Sequence, residues 1–129
     1  MVSIDLPLVS VVTPSYNMAA YLPRTIDSVL SQDYPKIEYI VTDGGSTDGT
    51  IDILKSYGDR LQYFVEPDKG PSDAVYKGFC HATGEVFAWL GADDVYLPGA
   101  VRTAVDALMA DPSIDVVYGE GTGSMNTAD

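Results

Sequence analysis

Two adjacent carboxylates, Asp93 and Asp94, follow the apolar run Val86 to Leu90, which reads as a buried strand, with only Gly91 and Ala92 between. Like charges this close repel and raise each other's pKa. A divalent cation removes that cost. Hard ions such as Mn²⁺ or Mg²⁺ take carboxylate oxygen and share their coordination shell with phosphate. A solvated Asp-Asp turn capping a helix that opens near Pro98 uses the same residues, so the other strand ends have to decide.

Those ends are polar in the same way. Pro14-Ser15-Tyr16-Asn17 closes a first strand, Leu8 to Thr13, whose β-branched residues suit burial on both faces. Asp43-Gly44-Gly45-Ser46 follows a second strand, Ile37 to Thr42, and Asp68, Lys69, Ser72 and Asp73 follow a third, Leu61 to Val65. Asp93 and Asp94 follow the fourth. In a parallel sheet these loops share the carboxyl rim, where open α/β sheets bind ligands.

Helical patterns separate the strands. Leu22, Ile26, Val29 and Leu30 mark one inward face, with Arg24, Asp27, Ser28 and Gln32 off it; Pro23 fits only the first turn. A second helix, about Thr50 to Tyr57, turns Ile51, Ile53 and Leu54 inward, capped by the polar loop before it. A third, about Asp73 to Ala82, is capped by Ser72 and turns Ala74, Val75, Gly78 and Phe79 to the sheet. A fourth, Gly99 to about Ala110, buries Val101, Val105, Leu108 and Met109. Ile114 to Tyr118 reads as a fifth strand. The alternation predicts an α/β sandwich around a mostly parallel sheet, in one domain spanning residues 1–129.

Composition narrows the ligand. A formal charge of −12 argues against nucleic acid or an anionic membrane surface as a partner. One cysteine and one histidine exclude an internal disulfide, a thiolate zinc cluster and a multi-histidine metal site. Cys80 is expected in the core and His81 at a helix end. There is no basic region before the first apolar run, which Pro7 and Pro14 interrupt, and no stretch long enough to span a bilayer, so the expected location is cytoplasmic. No G-x-G-x-x-G follows the first strand, and no G-x-x-x-x-G-K-[ST] occurs.

An anionic ligand therefore needs local help. Asp43 can accept from a uracil-like N–H or a ribose hydroxyl, or simply cap the next helix. Tyr16 offers a flat face to a base, or packs under its own loop. Lys69 supplies a cation for phosphate, or is only solvated. A metal at Asp93 would bridge a diphosphate. Together these describe a nucleoside-diphosphate site.

In combination and order, S-V-V-T-P-S-Y-N (Ser10 to Asn17), S-V-L-S-Q-D-Y-P (Ser28 to Pro35), I-V-T-D-G-G-S-T-D-G-T (Ile40 to Thr50), Gly84-Glu85, W-L-G-A-D-D (Trp89 to Asp94) and Pro98-Gly99 resemble the family 2 glycosyltransferases of GT-A fold, from about Leu8 to Gly119. The resemblance implies a Rossmann-like three-layer sandwich with strand four beside strand one. It implies an inverting, metal-dependent transfer from a nucleotide-sugar donor, a UDP-sugar, to a saccharide or lipid-linked acceptor. By the same resemblance Tyr16 lies near the base, Asp43 bonds the uracil, the loop Asp68 to Asp73 approaches base and phosphates, and Asp93 holds Mn²⁺ or Mg²⁺. The donor contacts would then be Pro14, Tyr16, Asn17, Asp43, Ser46, Lys69, Ser72 and Asp73, with Asp93 and Asp94 at the metal.

Two positions depart from the pattern: Gly91 stands for the first acid of the D-x-D motif, and Tyr76 for an Asn on the third helix. Family members draw their base and acceptor wall from sequence beyond a point matching Tyr118. The chain is thus expected to be the donor-binding half, truncated at its C-terminus, with no catalytic base assigned. An apolar face left open on that side would be where a second copy pairs. A nucleotidyltransferase of related fold is disfavoured because Pro14 to Asn17 holds neither glycine nor a basic residue; a binding-only module stays open.

Overall fold

The computed structural model describes residues 6–115. Four strands and four helices alternate: β1 (Val9–Ser15), α1 (Leu22–Leu30), β2 (Ile37–Asp43), α2 (Thr50–Ser56), β3 (Gln62–Val65), α3 (Pro71–His81), β4 (Val86–Trp89) and α4 (Ala100–Ala110), with a 3-10 turn at Gly58–Arg60 before β3. The sheet order is β3-β2-β1-β4 and every neighbouring pair is parallel. The chain thus builds outward from β1 through β2 to β3, then crosses back to lay β4 on the other side of β1. That reversal is a topological switch point between β1 and β4, where open α/β sheets form a crevice.

Alternation along β1 sorts its side chains into two layers. Val9 and Val11 join Leu22, Ile26 and Val29 of α1, Leu54 of α2, and Val101 and Val105 of α4 in one apolar cluster. Val12 faces the other way, against α3, so closely that any side chain at Gly78 would collide with it. The Thr42 hydroxyl ties β2 to the same helix by donating to Ala74 O at 2.8 Å. The result is the expected three-layer α/β sandwich. Among the described residues no helix is long and apolar enough to cross a membrane.

Several local expectations need correction. Ser72 does not cap α3. Gly70 is the N-cap, at φ +123°, and Pro71 sets the first turn, so Ser72 lies inside the helix. The N-cap of α2 is likewise a glycine, Gly49 at φ +99°, and Asp48 bonds the Thr50 N–H from one residue earlier. β4 is not buried on both sides: its side chains alternate half-buried and exposed, leaving Phe87 and Trp89 open. Met109 and Cys80 are exposed rather than inward. Ile51 and Ile53 are only half-buried, since residues two apart cannot share a helix face. Ile114 belongs to no strand, and the remainder of the expected fifth strand lies outside the described residues.

Candidate functional site at the carboxyl rim

The loop after β1 is laced to the loop after β2. Asn17 takes a left-handed backbone, φ +52°, which asparagine tolerates better than most residues. Its N–H donates to the Ser46 hydroxyl at 2.8 Å, and its side-chain oxygen accepts from the Thr47 N–H at 2.8 Å. The Ala19 N–H donates to Asp48 at 3.0 Å. Asp43, only 1% exposed, is the centre of the second loop. Its Oδ2 accepts from the Gly45 and Ser46 N–H groups at 2.9 and 2.7 Å, and its Oδ1 from the Ser46 hydroxyl at 2.6 Å. Three donors compensate a buried carboxylate and leave about one of its four acceptor positions over.

A third loop closes on the same spot. A Cβ placed on Gly44 would lie 2.7 Å from Asp68 Oδ2 and 3.3 Å from Tyr16 Cδ1. Glycine at position 44 thus leaves the space where the Asp68 carboxylate and the Tyr16 ring come together. Tyr16 remains 59% exposed above this junction. Beside it lies a shallow depression lined by Asp43, Phe64, Glu66, Asp68 and Lys77. Asp68 accepts from the Gly70 N–H at 2.9 Å, and Asp73 reaches back to the Lys69 N–H at 3.0 Å. That Lys69 N–H bond, with a smaller effect from Lys77, holds the Asp73 carboxyl below its usual range. The lysine paired to acids here is Lys77, 3.1 Å from Glu66 and 3.4 Å from Asp73. Lys69 is exposed.

Across β1, the Leu90 N–H donates to Val12 O at 2.9 Å, and the chain then leaves the sheet as the acid loop. Asp93 is exposed and Asp94 half-buried. Both carboxylates turn toward Gly91: a Cβ there would sit 2.9 Å from Asp94 Oδ2 and 3.4 Å from Asp93 Oδ1. The Asp94 carboxylate thus lies beside the space that an acidic side chain at position 91 would need. Among the described residues no three His, Cys, Asp or Glu groups converge. Two hard oxygen donors suit an ion that completes its shell with phosphate and water.

The model of the family described as glycosyl transferase family 2 matches residues 10–127. The chain belongs to glycosyl transferase family 2. It is 40% identical over 111 residues to an uncharacterized glycosyltransferase of Rickettsia typhi, covering 86% of this chain and 35% of that protein. It is 38% identical over 120 residues to a PGL/p-HBAD biosynthesis glycosyltransferase of Mycobacterium bovis, covering 88% of this chain and 46% of that one. Among solved structures, the Pyrobaculum calidifontis mannosyltransferase PcManGT in complex with GDP-Man and Mn²⁺ matches with a TM-score of 0.78 and 32% identity, over 85% of this chain and 34% of its own. Residues 1–349 of S. aureus TarS in complex with UDP-GlcNAc match with a TM-score of 0.74 and 25% identity, over 91% and 37%. The chain therefore spans only about a third of the length of these solved structures.

Within this family 2 chain the anticipated site residues fall into two groups. Pro14, Tyr16, Asn17, Asp43 and Ser46 stand at the ends of β1 and β2, with Lys69, Ser72 and Asp73 at the start of α3. Asp93 and Asp94 stand apart, on the loop beyond β4. Sequence reasoning missed what holds that second group: Thr25 and Ser28 of α1 and Gln32 just beyond its end, whose polar groups bond the acid loop. It also missed Ser15, whose hydroxyl is buried without a hydrogen-bond partner among the described residues.

Proposed function

We propose that this chain is the nucleotide-sugar-binding part of an inverting glycosyltransferase, which moves a sugar from a UDP-sugar to a saccharide or lipid-linked hydroxyl. In this reading the base lies against Tyr16 and reaches the remaining acceptor position of Asp43 from the depression beside Asp68. Asn17 and Ser46 hold the first two loops in register, Pro14 starts the first of them, and Lys69, Ser72 and Asp73 border the phosphates. Asp93 and Asp94 hold Mn²⁺ or Mg²⁺, which when bound offsets charge on the leaving diphosphate.

The observation that carries the reading is the pair of polar loop groups on either side of β1, one with a base-sized aromatic face and one with two carboxylates turned to the same glycine. The neighbours bound to GDP-Man with Mn²⁺ and to UDP-GlcNAc support a nucleotide-sugar ligand and a divalent ion. Calorimetry of the full chain with UDP and GDP, each with and without Mn²⁺, tests it. UDP should bind more tightly than GDP, Mn²⁺ should strengthen that binding, and Asp93→Ala should remove the strengthening. Equal UDP affinity with and without the ion would remove the role given to Asp93.

A further inference from the structure

We propose that Thr25 and Ser28 of α1, with Gln32 two residues past its end, form a clamp that sets the path of the acid loop and thereby the affinity for the divalent cation. The inference rests on Asp93 and Asp94 being the cation's ligands; the three clamp residues act on it only through the loop, as positioning residues.

Thr25 and Ser28 are three residues apart on one face of α1, and Gln32 follows just after the helix ends at Leu30. Each grips loop backbone. The Thr25 hydroxyl, fully buried, lies 2.9 Å from Ala92 O and 2.6 Å from Asp94 O, the carbonyls on either side of Asp93. The Ser28 hydroxyl donates to Thr25 O at 2.7 Å and accepts from the Tyr96 N–H at 3.0 Å. The Gln32 amide donates to Leu97 O at 3.0 Å, and its oxygen accepts from the Val101 N–H at 3.1 Å. Val101 is in the first turn of α4, where the N-cap Gly99 has no side chain to offer, so Gln32 supplies the cap from outside.

The acid loop is thus held along its backbone, at Ala92 O and Asp94 O by the one shared Thr25 hydroxyl proton and at Tyr96 N, Leu97 O and Val101 N by Ser28 and Gln32. Backbone contacts fix the path of the loop independently of its own side chains. Two like-charged carboxylates would spread apart on a loose loop. Holding the loop limits that spreading before the ion arrives, which reduces the ordering cost of binding.

The test compares wild type, Thr25→Val and Thr25→Ser in the full chain. Free Mn²⁺ is titrated by electron paramagnetic resonance in saturating UDP, and UDP affinity without metal is measured by calorimetry. Thr25→Val should weaken Mn²⁺ roughly three- to tenfold, the size expected for one hydrogen bond, with UDP affinity in the absence of metal unchanged. Thr25→Ser, which keeps the hydroxyl, should restore the ion. Should the valine variant not fold, Gln32→Ala at its less buried position carries the same expectation. Wild-type binding of Mn²⁺ with unchanged binding by the folded variants would overturn this inference alone. So would a parallel loss of metal-free UDP affinity, because the damage would then not be specific to the acid loop. Wild type that takes up no Mn²⁺ with UDP present would overturn the cation reading and this inference together.

Discussion

The two rims of the sheet are both rich in polar groups, yet they bond them differently. At the amino rim the bonds run between strands. Glu38 of β2 accepts from the Ser10 hydroxyl of β1 at 2.7 Å and from the N–H and hydroxyl of Thr83 at 2.8 and 3.0 Å, just before β4. The Gly84 N–H donates to the same Ser10 hydroxyl at 2.9 Å. These bonds pin the three strands together where they start. At the carboxyl rim the bonds run within a loop, as at Asp43, or from a loop to its neighbour or to α1. They orient loops and leave Tyr16 and Asp93 at the surface. A closed network stabilises the sheet; an open one presents groups to a ligand.

Substitutions at the two rims should therefore separate stability from binding. The largest effect is expected at Gly84, where an added Cβ would come within 2.5 Å of Ser10 Oγ and 2.6 Å of Leu8 O. Backbone cannot move aside cheaply, so Gly84→Ala should cost at least the ~1–3 kcal/mol typical of overpacking. Urea unfolding would show that loss, and UDP affinity of the folded fraction should be unchanged. Tyr16→Ala should do the reverse. UDP binding by calorimetry should weaken by about 1–3 kcal/mol, as for a lost stacking face, with stability changed by less than about 0.5 kcal/mol. A large fall in stability instead would make Tyr16 a packing residue.

The smallest effect is a pH dependence. Burial pushes the Glu38 carboxyl up, but bonds from the Thr83 N–H, the Ser10 and Thr83 hydroxyls and the Gln62 side chain outweigh it and hold it below the ordinary 4.5. Its contribution to stability is then complete above 4.5 and lost as the pH falls through the lower folded value. Urea midpoints followed from about pH 7 to about pH 3 should fall less steeply at the acid end for Glu38→Gln than for wild type.

Much of this arrangement was legible from residue order. The runs Leu8 to Thr13 and Ile37 to Thr42 are strands because β-branched residues follow one another without a helical period. The inward face of α1 follows from Leu22, Ile26 and Val29. What escaped has physical causes. Val86 to Leu90 contains no polar residue, so its half-open alternation leaves no trace in hydropathy. Ser28 and Gln32 looked like solvent-facing positions because apolar periodicity marks where the core is and not where a distant loop returns. Asp43 is at a strand end whether it serves a turn or a ligand; the donors around it show the turn. With glycine at position 91, two neighbouring carboxylates turn into the space a side chain would fill.

Asn17 carries one more consequence. It is the non-glycine residue with a left-handed backbone among the described residues, and its side chain is bonded to the Thr47 N–H. A backbone displacement at Tyr16 would pass through Asn17 and pull on that bond, whereas the Tyr16 ring can turn about its own side-chain bonds. The first and second loops are thereby stitched into one piece, and through Asp48, which takes the Ala19 N–H on one oxygen and the Thr50 N–H on the other, the stitching continues to the first residue of α2.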